Sequence, residues 1–392
     1  MEVVGGLQLR RRSVSGAAEP RRLRNRKASQ ETRVAIVGGG LAGLCAYATL
    51  RHGGLEPDEI AVFGDCADPT EAWAARARAI RQRRMRSESD GHVAATSFPG
   101  LAVRAALRRR SPAPLALSVC NRYRPTVDEF LEHAAWVRVR TGWDESLMQR
   151  RIQHVRAVED GFELDGRDRF AHVLLALGHP GLARPPELAG DPRAVHAYEP
   201  HEYAEEVEVV GAGMAAATEW LNALAAGASV VSVRRREPER RPLNLPRSLF
   251  TQRGLASFHR TARDARAGLL RSFSAPSYPP GRAWDEPLRT PRFRVAPELN
   301  GAAQVICATG FRRGFAEDDL LRRMVAEHEL ETADRWLVLA PDSTVPALTD
   351  ATRTLALAGV HAQWAFPAAD TLAGAKYAAR GFLRRVERCR TR

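Results

Sequence analysis

Short apolar runs alternate along the chain with longer stretches that repeat small or apolar residues at helical spacing. Val34-Ala-Ile-Val37, Ile60-Ala-Val-Phe63, Val207-Glu-Val-Val210, Val230-Val-Ser-Val233 and Leu355-Ala-Leu-Ala358 have the length and composition of strands. The alanine-rich stretches from Leu41 to about His52 and from Met214 to Ala226 read as helices. Further strands are expected over 151–158, 161–164, 169–177 and 304–311, with a helix near 249–270. Thr126, followed by two acids, caps a helix that buries Phe130 and Leu131. Another helix starts at Asp370-Thr371, with Asp370 as N-cap, and runs to about Glu387. Strands and helices that alternate in this way describe an α/β fold.

At two of these joints a glycine-rich turn connects strand to helix: Gly38-Gly-Gly40-Leu-Ala-Gly43 and Gly211-Ala-Gly213-Met-Ala-Ala216. In a dinucleotide-binding turn the first glycine permits the tight bend, and the second lets backbone approach a pyrophosphate. The third small residue lets the helix pack on its strand, with its positive end toward the phosphates. The strand after each helix adds chemistry. Asp65 follows Ile60–Phe63 close to where a carboxylate binds a ribose diol, one position late because Gly64 intervenes. Arg234-Arg235-Arg236 follow Val230–Val233, and a cationic cluster there suits the 2′-phosphate of NADP but not the bare ribose of NAD. One such turn marks a nucleotide site; two in one chain point to electron traffic between nucleotides.

Composition narrows the class. With 392 residues, 44% of them hydrophobic, the chain can bury one large or two ordinary cores. The net charge of +13 rests almost wholly on arginine, since Lys27 and Lys376 are its only lysines, and no nucleic-acid-reading motif accompanies it. Residues 1–32, with Arg10-Arg-Arg12 and no apolar periodicity, read as a disordered basic tail. The uncharged run behind the tail is broken by three glycines, which argues against a secretory signal or a membrane span. Cys45, Cys66, Cys120, Cys307 and Cys389 include no Cys-x-x-Cys pair, and the histidines form no ligand cluster, so neither a dithiol nor a metal site is expected. These features together give the expectation of a cytoplasmic enzyme with no nucleic-acid partner and no integral membrane association.

The order of landmarks resembles the NADPH-dependent flavoproteins with two dinucleotide-binding domains, in particular the class B flavin monooxygenases, over most of residues 33–388. The turn at Gly38 is similar to the FAD site, and Tyr123-Arg-Pro-Thr126 to the family's Tyr-Pro-Thr helix entry. The turn at Gly211 is similar to the NADPH site. Ala308-Thr309-Gly310-Phe311 resembles the Ala-Thr-Gly-Tyr element, with Ala176-Leu-Gly178 as a weaker first copy, and Asp370-Thr371-Leu372 the Asp-x-Leu start of the helix beside the flavin. Two elements depart from the pattern. His196-Ala-Tyr-Glu-Pro-His201 stands where a Phe-x-Gly-x-x-x-His fingerprint is usual, and Gly359-Val360 where the family has Gly-Asp.

The resemblance implies two Rossmann-like domains, with residues 33–180 and 302–392 binding FAD and an inserted 181–301 binding NADPH. It implies hydride transfer to the flavin, then oxygen activation as a C4a-hydroperoxide that oxygenates a nitrogen, sulfur or carbonyl centre of a small molecule. An NADPH-dependent reductase passing electrons to another acceptor is the alternative; a non-catalytic nucleotide-binding regulator is a third. Cofactor contacts are expected from Gly38, Gly40, Gly43, Asp65, Gly211, Gly213, Ala216, Arg234, Arg235, Thr309, Gly310, Asp370 and Thr371. Arg86, Ser87, His92, Gln363 and Trp364 are weaker candidates for catalysis.

Overall fold

The computed structural model describes residues 34–85, 100–119, 123–242, 249 and 251–390. The basic tail and the candidates Arg86, Ser87 and His92 lie outside the described residues.

Two five-stranded sheets, parallel throughout, organise the chain. The first holds β1 (Val34–Val37), β2 (Ile60–Gly64), β3 (Leu147–Gln149), β7 (His172–Leu175) and β17 (Thr354–Leu357) in the order β17-β7-β1-β2-β3. An antiparallel sheet of β4 (Val155–Val158), β5 (Gly161–Leu164) and β6 (Asp168–Phe170) precedes β7. The second large sheet holds β8 (Ala194–His196), β9 (Glu206–Val210), β10 (Ser229–Val233), β13 (Phe293–Ala296) and β14 (Gln304–Cys307) in the order β13-β10-β9-β14-β8. Two short pairs, β11 (Glu239–Arg240) with β12 (Ser277–Tyr278) and β15 (Thr332–Ala333) with β16 (Trp336–Leu337), complete the strands.

The core on one face of the first sheet takes in α1 (Leu41–His52), α3 (Leu101–Arg109), α5 (Val127–Thr141) and the short α6 (Trp143–Ser146), with α4 (Ala113–Val119) packed on α3; α2 (Glu71–Ala79) follows β2. The second sheet carries α7 (Met214–Ala225). Then follow α8 (Gln252–Arg260), α9 (Arg263–Phe273), α10 (Arg282–Asp285), α11 (Asp319–Glu327) and α12 (Leu372–Arg390). Thr126 caps α5 as expected, its hydroxyl accepting from Glu129 N–H while the Glu129 carboxylate accepts from Thr126 N–H.

Several expectations need correction. The strand over 169–177 is two strands, because the chain leaves the antiparallel sheet at Ala171 and enters the parallel one. The helix near 249–270 is two, since Thr261 and Ala262 adopt extended backbone between α8 and α9. The boundary at 302 falls inside the second sheet, where β14 pairs with β9. The stretch 181–301 is likewise not one body: Phe258, Ala267 and Leu270 of α8 and α9 join the core that holds Phe63, Leu357 and Trp364. Apolar area decides this, because an amphipathic hairpin packs wherever its stripe finds cover.

Buried charge marks the second unit. Glu219 of α7 has no exposure; it accepts a hydrogen bond from Tyr203 Oη at 2.7 Å and pairs with His201 Nε2 at 3.2 Å. Burial by itself would push His201 down, but the hydrogen bonds to Glu219 and the Glu199 carbonyl outweigh it and raise the imidazole above its usual 6.5. A raised folded value stabilises the protein fully below the unfolded one and is lost as pH climbs through the folded one. Stability is therefore expected to decline above pH 6.5. Glu219→Gln should flatten that part of a stability–pH profile measured by denaturant, and superimposable profiles would show that the pair does not titrate.

Candidate functional site

The two glycine turns occupy equivalent places in the two sheets and are built alike. Gly38 has φ +120° and Gly211 φ +132°, which a side chain tolerates poorly. Gly38 N–H donates to Phe63 O at 2.8 Å, and Gly211 N–H to Val233 O at 3.2 Å. A Cβ on Gly38 would overlap the Ala176 carbonyl; one on Gly211 would stand 2.6 Å from the Ala308 carbonyl. The first glycine of each turn therefore packs against the strand on its far side. This explains why Ala176-Leu-Gly178 and Ala308-Thr-Gly310 look like copies: each follows the strand that closes one turn, β7 or β14.

The second glycines face outward. A Cβ on Gly40 would meet nothing within 4 Å, and one on Gly213 only Pro276 Cα at 3.9 Å. Each is the N-cap of its helix and offers no side chain to the leading amides of α1 or α7. Open space in front of uncapped amides at a positive helix end is a seat for phosphate. A Cβ on Gly43, by contrast, would run into the Gly38 carbonyl, and Ala216 is fully buried beneath the second turn.

Beside the first turn, Gly64 is part of β2 and not an interruption after it. Its Cα lies so near Gly39 that a Cβ on Gly64 would stand 2.6 Å from Gly39 Cα. Asp65 thus stands directly beyond the strand, exposed, with only a loose 3.8 Å ion pair to Arg151.

Beside the second turn lies a cavity of about 840 Å³, within the range of ligand pockets, which reaches from Gly211 and Ala212 to Arg234, Arg235 and Arg236. Arg235 and Arg236 are exposed at its rim. Arg234 is turned inward: its guanidinium lies 5.2 Å from the Trp220 ring centre and Nη2 is 3.0 Å from Glu237.

Between the sheets' C-terminal ends runs a stack of four rings. His179 lies 4.3 Å from Phe311 at 14°, Phe311 4.9 Å from Tyr198 at 18°, and Tyr198 5.7 Å from His196 at 26°. Arg76 of α2 covers the Phe311 ring at 5.0 Å. Burial, reinforced by the charges of Arg313 and Arg76, pushes His179 down to about 3, so its ring is neutral at any physiological pH. Asp370, just ahead of α12, is exposed, and desolvation by the protein around it raises its carboxyl against the pull of Arg313.

The remaining predicted residues take other places. Thr371, not Asp370, caps α12, accepting from Gly374 N–H at 3.2 Å. Thr309 hydroxyl donates to Ala183 O, and Gly310 O accepts from Ala183 N–H at 2.9 Å, so both belong to the crossing between the units. Gln363 is buried, its Oε1 accepting from Trp336 Nε1 at 3.4 Å, and Trp364 is sealed in the core under Arg266 at 4.9 Å. The ring stack escaped the sequence reading. Its only signal was Phe311 in the aromatic place of the Ala-Thr-Gly-aromatic element. Among the described residues, no group of three His, Cys, Asp or Glu side chains could hold a metal ion, and Cys45, Cys66, Cys307 and Cys389 form no disulfide with one another. No described helix is long and apolar enough to cross a membrane.

No protein-family model matches the chain, and no curated protein matches its sequence. Its backbone does match solved structures along most of its length. The ornithine N-hydroxylase of Kutzneria sp. 744, solved with reduced FAD, NADP+ and L-ornithine, aligns with a TM-score of 0.69 at 16% identity, over 92% of this chain and 100% of that one. L-lysine 6-monooxygenase from Pseudomonas syringae aligns at 0.65 and 13% identity, over 92% and 99%. The bacillithiol disulfide reductase of Bacillus cereus aligns at 0.54 and 14% identity, over 93% and 100%. The chain therefore has the α/β fold of the FAD- and NAD(P)-binding flavoprotein monooxygenases, two parallel sheets each with its own glycine turn.

Proposed function

We propose that the chain is an FAD-dependent oxidoreductase reduced by NADPH, and specifically a flavin monooxygenase acting on a nitrogen, sulfur or carbonyl centre of a small molecule. The observation that carries this is the pair of equivalent turns, each with an open approach to its second glycine and uncapped helix amides behind it. The first turn would hold the FAD pyrophosphate, with Asp65 placed for the ribose diol. The second would hold NADPH, with Arg235 and Arg236 at the 2′-phosphate and Arg234 fixed behind them by Trp220 and Glu237. In this assignment the FAD unit comprises 34 to about 178, the α8–α9 hairpin and 314–390, and the NADPH unit most of the rest.

Bound flavin would supply hydride acceptance and oxygen activation. The chain's own residues bind, orient and exclude water. The stacked rings of His179, Phe311 and Tyr198 offer apolar faces beside the two turns, and the neutral His179 adds no charge to them. The reaction balances as NADPH, a proton, oxygen and substrate giving NADP+, water and substrate plus one oxygen atom.

The likeness to amine hydroxylases supports oxygenation, and the likeness to a disulfide reductase supports the alternative of an NADPH-dependent reductase with another acceptor. Protein loaded with FAD, reduced by NADPH without oxygen and then given oxygen with a panel of primary amines, thioethers and ketones, separates them. Product that gains oxygen in step with NADPH consumed is the expected result. Conversion of every NADPH equivalent to hydrogen peroxide would turn the reading to the reductase, and failure to take up flavin would leave a non-catalytic regulator.

A further inference from the structure

Of the six large apolar side chains exposed among the described residues, five lie on three consecutive helices: Leu107 on α3, Leu115 and Leu117 on α4, and Trp136 and Val139 on α5. Leu107 and Val139 are 75% and 78% exposed, well above the 49% of the sixth, Val295. Leu107 of α3 and Trp136 and Val139 of α5 flank one seam. Glu132, Trp136 and Val139 follow one another at i, i+4 and i+7 along α5, and Arg104, Leu107 and Arg108 at i, i+3 and i+4 along α3. The helices are joined there by the Arg108–Glu132 and Arg109–Glu129 pairs and by Arg104 over the Trp136 ring at 5.1 Å.

Charge selects the occupant. The described parts of α3 and α5 with the α3 C-cap carry six arginines (Arg104, Arg108, Arg109, Arg110, Arg138, Arg140) against three carboxylates (Asp128, Glu129, Glu132). Glu129 and Glu132 are already taken by Arg109 and Arg108, and Arg138 by Asp144, which leaves Arg110 and Arg140 exposed. We propose that this seam is a docking face for an anionic lipid surface, with Leu107, Trp136 and Val139 entering the headgroup–acyl boundary and the arginines meeting lipid phosphates. A basic surface with an aromatic and aliphatic edge lies on a bilayer without spanning it. A second copy of the chain would set arginine against arginine. A nucleic acid would leave the exposed leucines and valine without gain, because its affinity comes from phosphate contacts.

The test is sedimentation of the full chain with vesicles of phosphatidylcholine alone or mixed with phosphatidylglycerol, at low and high salt. Binding is expected only with the anionic lipid and weaker in high salt. Leu107→Asp with Val139→Asp, and separately Arg110→Ser with Arg140→Ser, should each lower the partition coefficient by roughly tenfold or more. All four positions are exposed, so unchanged thermal unfolding checks that the variants fold. As a second measurement, brominated lipid should quench tryptophan emission in the parent chain and much less in Trp136→Phe. Absence of binding, or binding that ignores both pairs of substitutions, overturns the proposal. Loss of duplex DNA binding, or of self-association, in the same variants without any vesicle effect would overturn it equally.

Discussion

Gly40→Val is expected to give a folded protein that no longer retains FAD, whereas Gly38→Ala is expected not to fold. Both sit in one turn, and only their surroundings differ. The space in front of Gly40 is empty of protein, so a side chain there displaces ligand and nothing else. A Cβ on Gly38 collides with the Ala176 carbonyl in a backbone conformation that already excludes side chains. The second turn is expected to behave in parallel. Gly213→Val should spare FAD and abolish NADPH binding, while Gly211→Val should damage the fold through Ala308. Flavin absorbance of purified protein, circular dichroism and NADPH titration by fluorescence read out the three properties. FAD retained in Gly40→Val, or lost from a folded Gly213→Val, would reverse the assignment of the two turns.

The second large effect is expected at the rim of the second cavity. Replacing Arg235 and Arg236 by alanine should raise the KM for NADPH and leave that for NADH nearly unchanged, because only the 2′-phosphate offers a charge-assisted partner. The loss expected is about 1.5–3 kcal/mol. Arg234→Ala should behave differently. Its guanidinium lies over Trp220 and is paired with Glu237, so its removal should lower thermal stability and affect both nucleotides alike. Equal losses with NADPH and NADH in the Arg235/Arg236 variant would show that these arginines are solvated charge only.

Those arginines illustrate how far the sequence could be read. Three consecutive arginines after a strand are visible as a cluster, but which of them turns inward depends on Trp220, a residue on another element. Local features fared best. Both glycine turns, the strands beside them and the Thr126 cap are set by residues within a few positions of one another. Assignments that depend on a distant neighbour were out of reach. Val305-Ile-Cys307 is a buried parallel strand like any other, and nothing in it tells which sheet it joins. The α8–α9 hairpin likewise carries an apolar stripe without an address. Gly64 reads as an interruption because its partner, Gly39, lies in the turn after another strand. The ring stack was least legible of all. His179, Tyr198 and Phe311 come from three separate loops and meet only once both sheets are in place.

The α8–α9 hairpin has a consequence for cooperativity. The chain leaves the second unit after β11, lends Phe258, Ala267 and Leu270 to the core of the first, and returns at β12. His259 Nε2 then closes on Ala365 O at 2.7 Å, and Arg271 on Asp334 at 2.6 Å. No cut on either side of the second sheet releases an intact half, because excision strips apolar cover from the first core and strands the hairpin without its own. Melting of one half therefore exposes interior surface of the other, and the two halves are bound to lose structure as a single thermodynamic body.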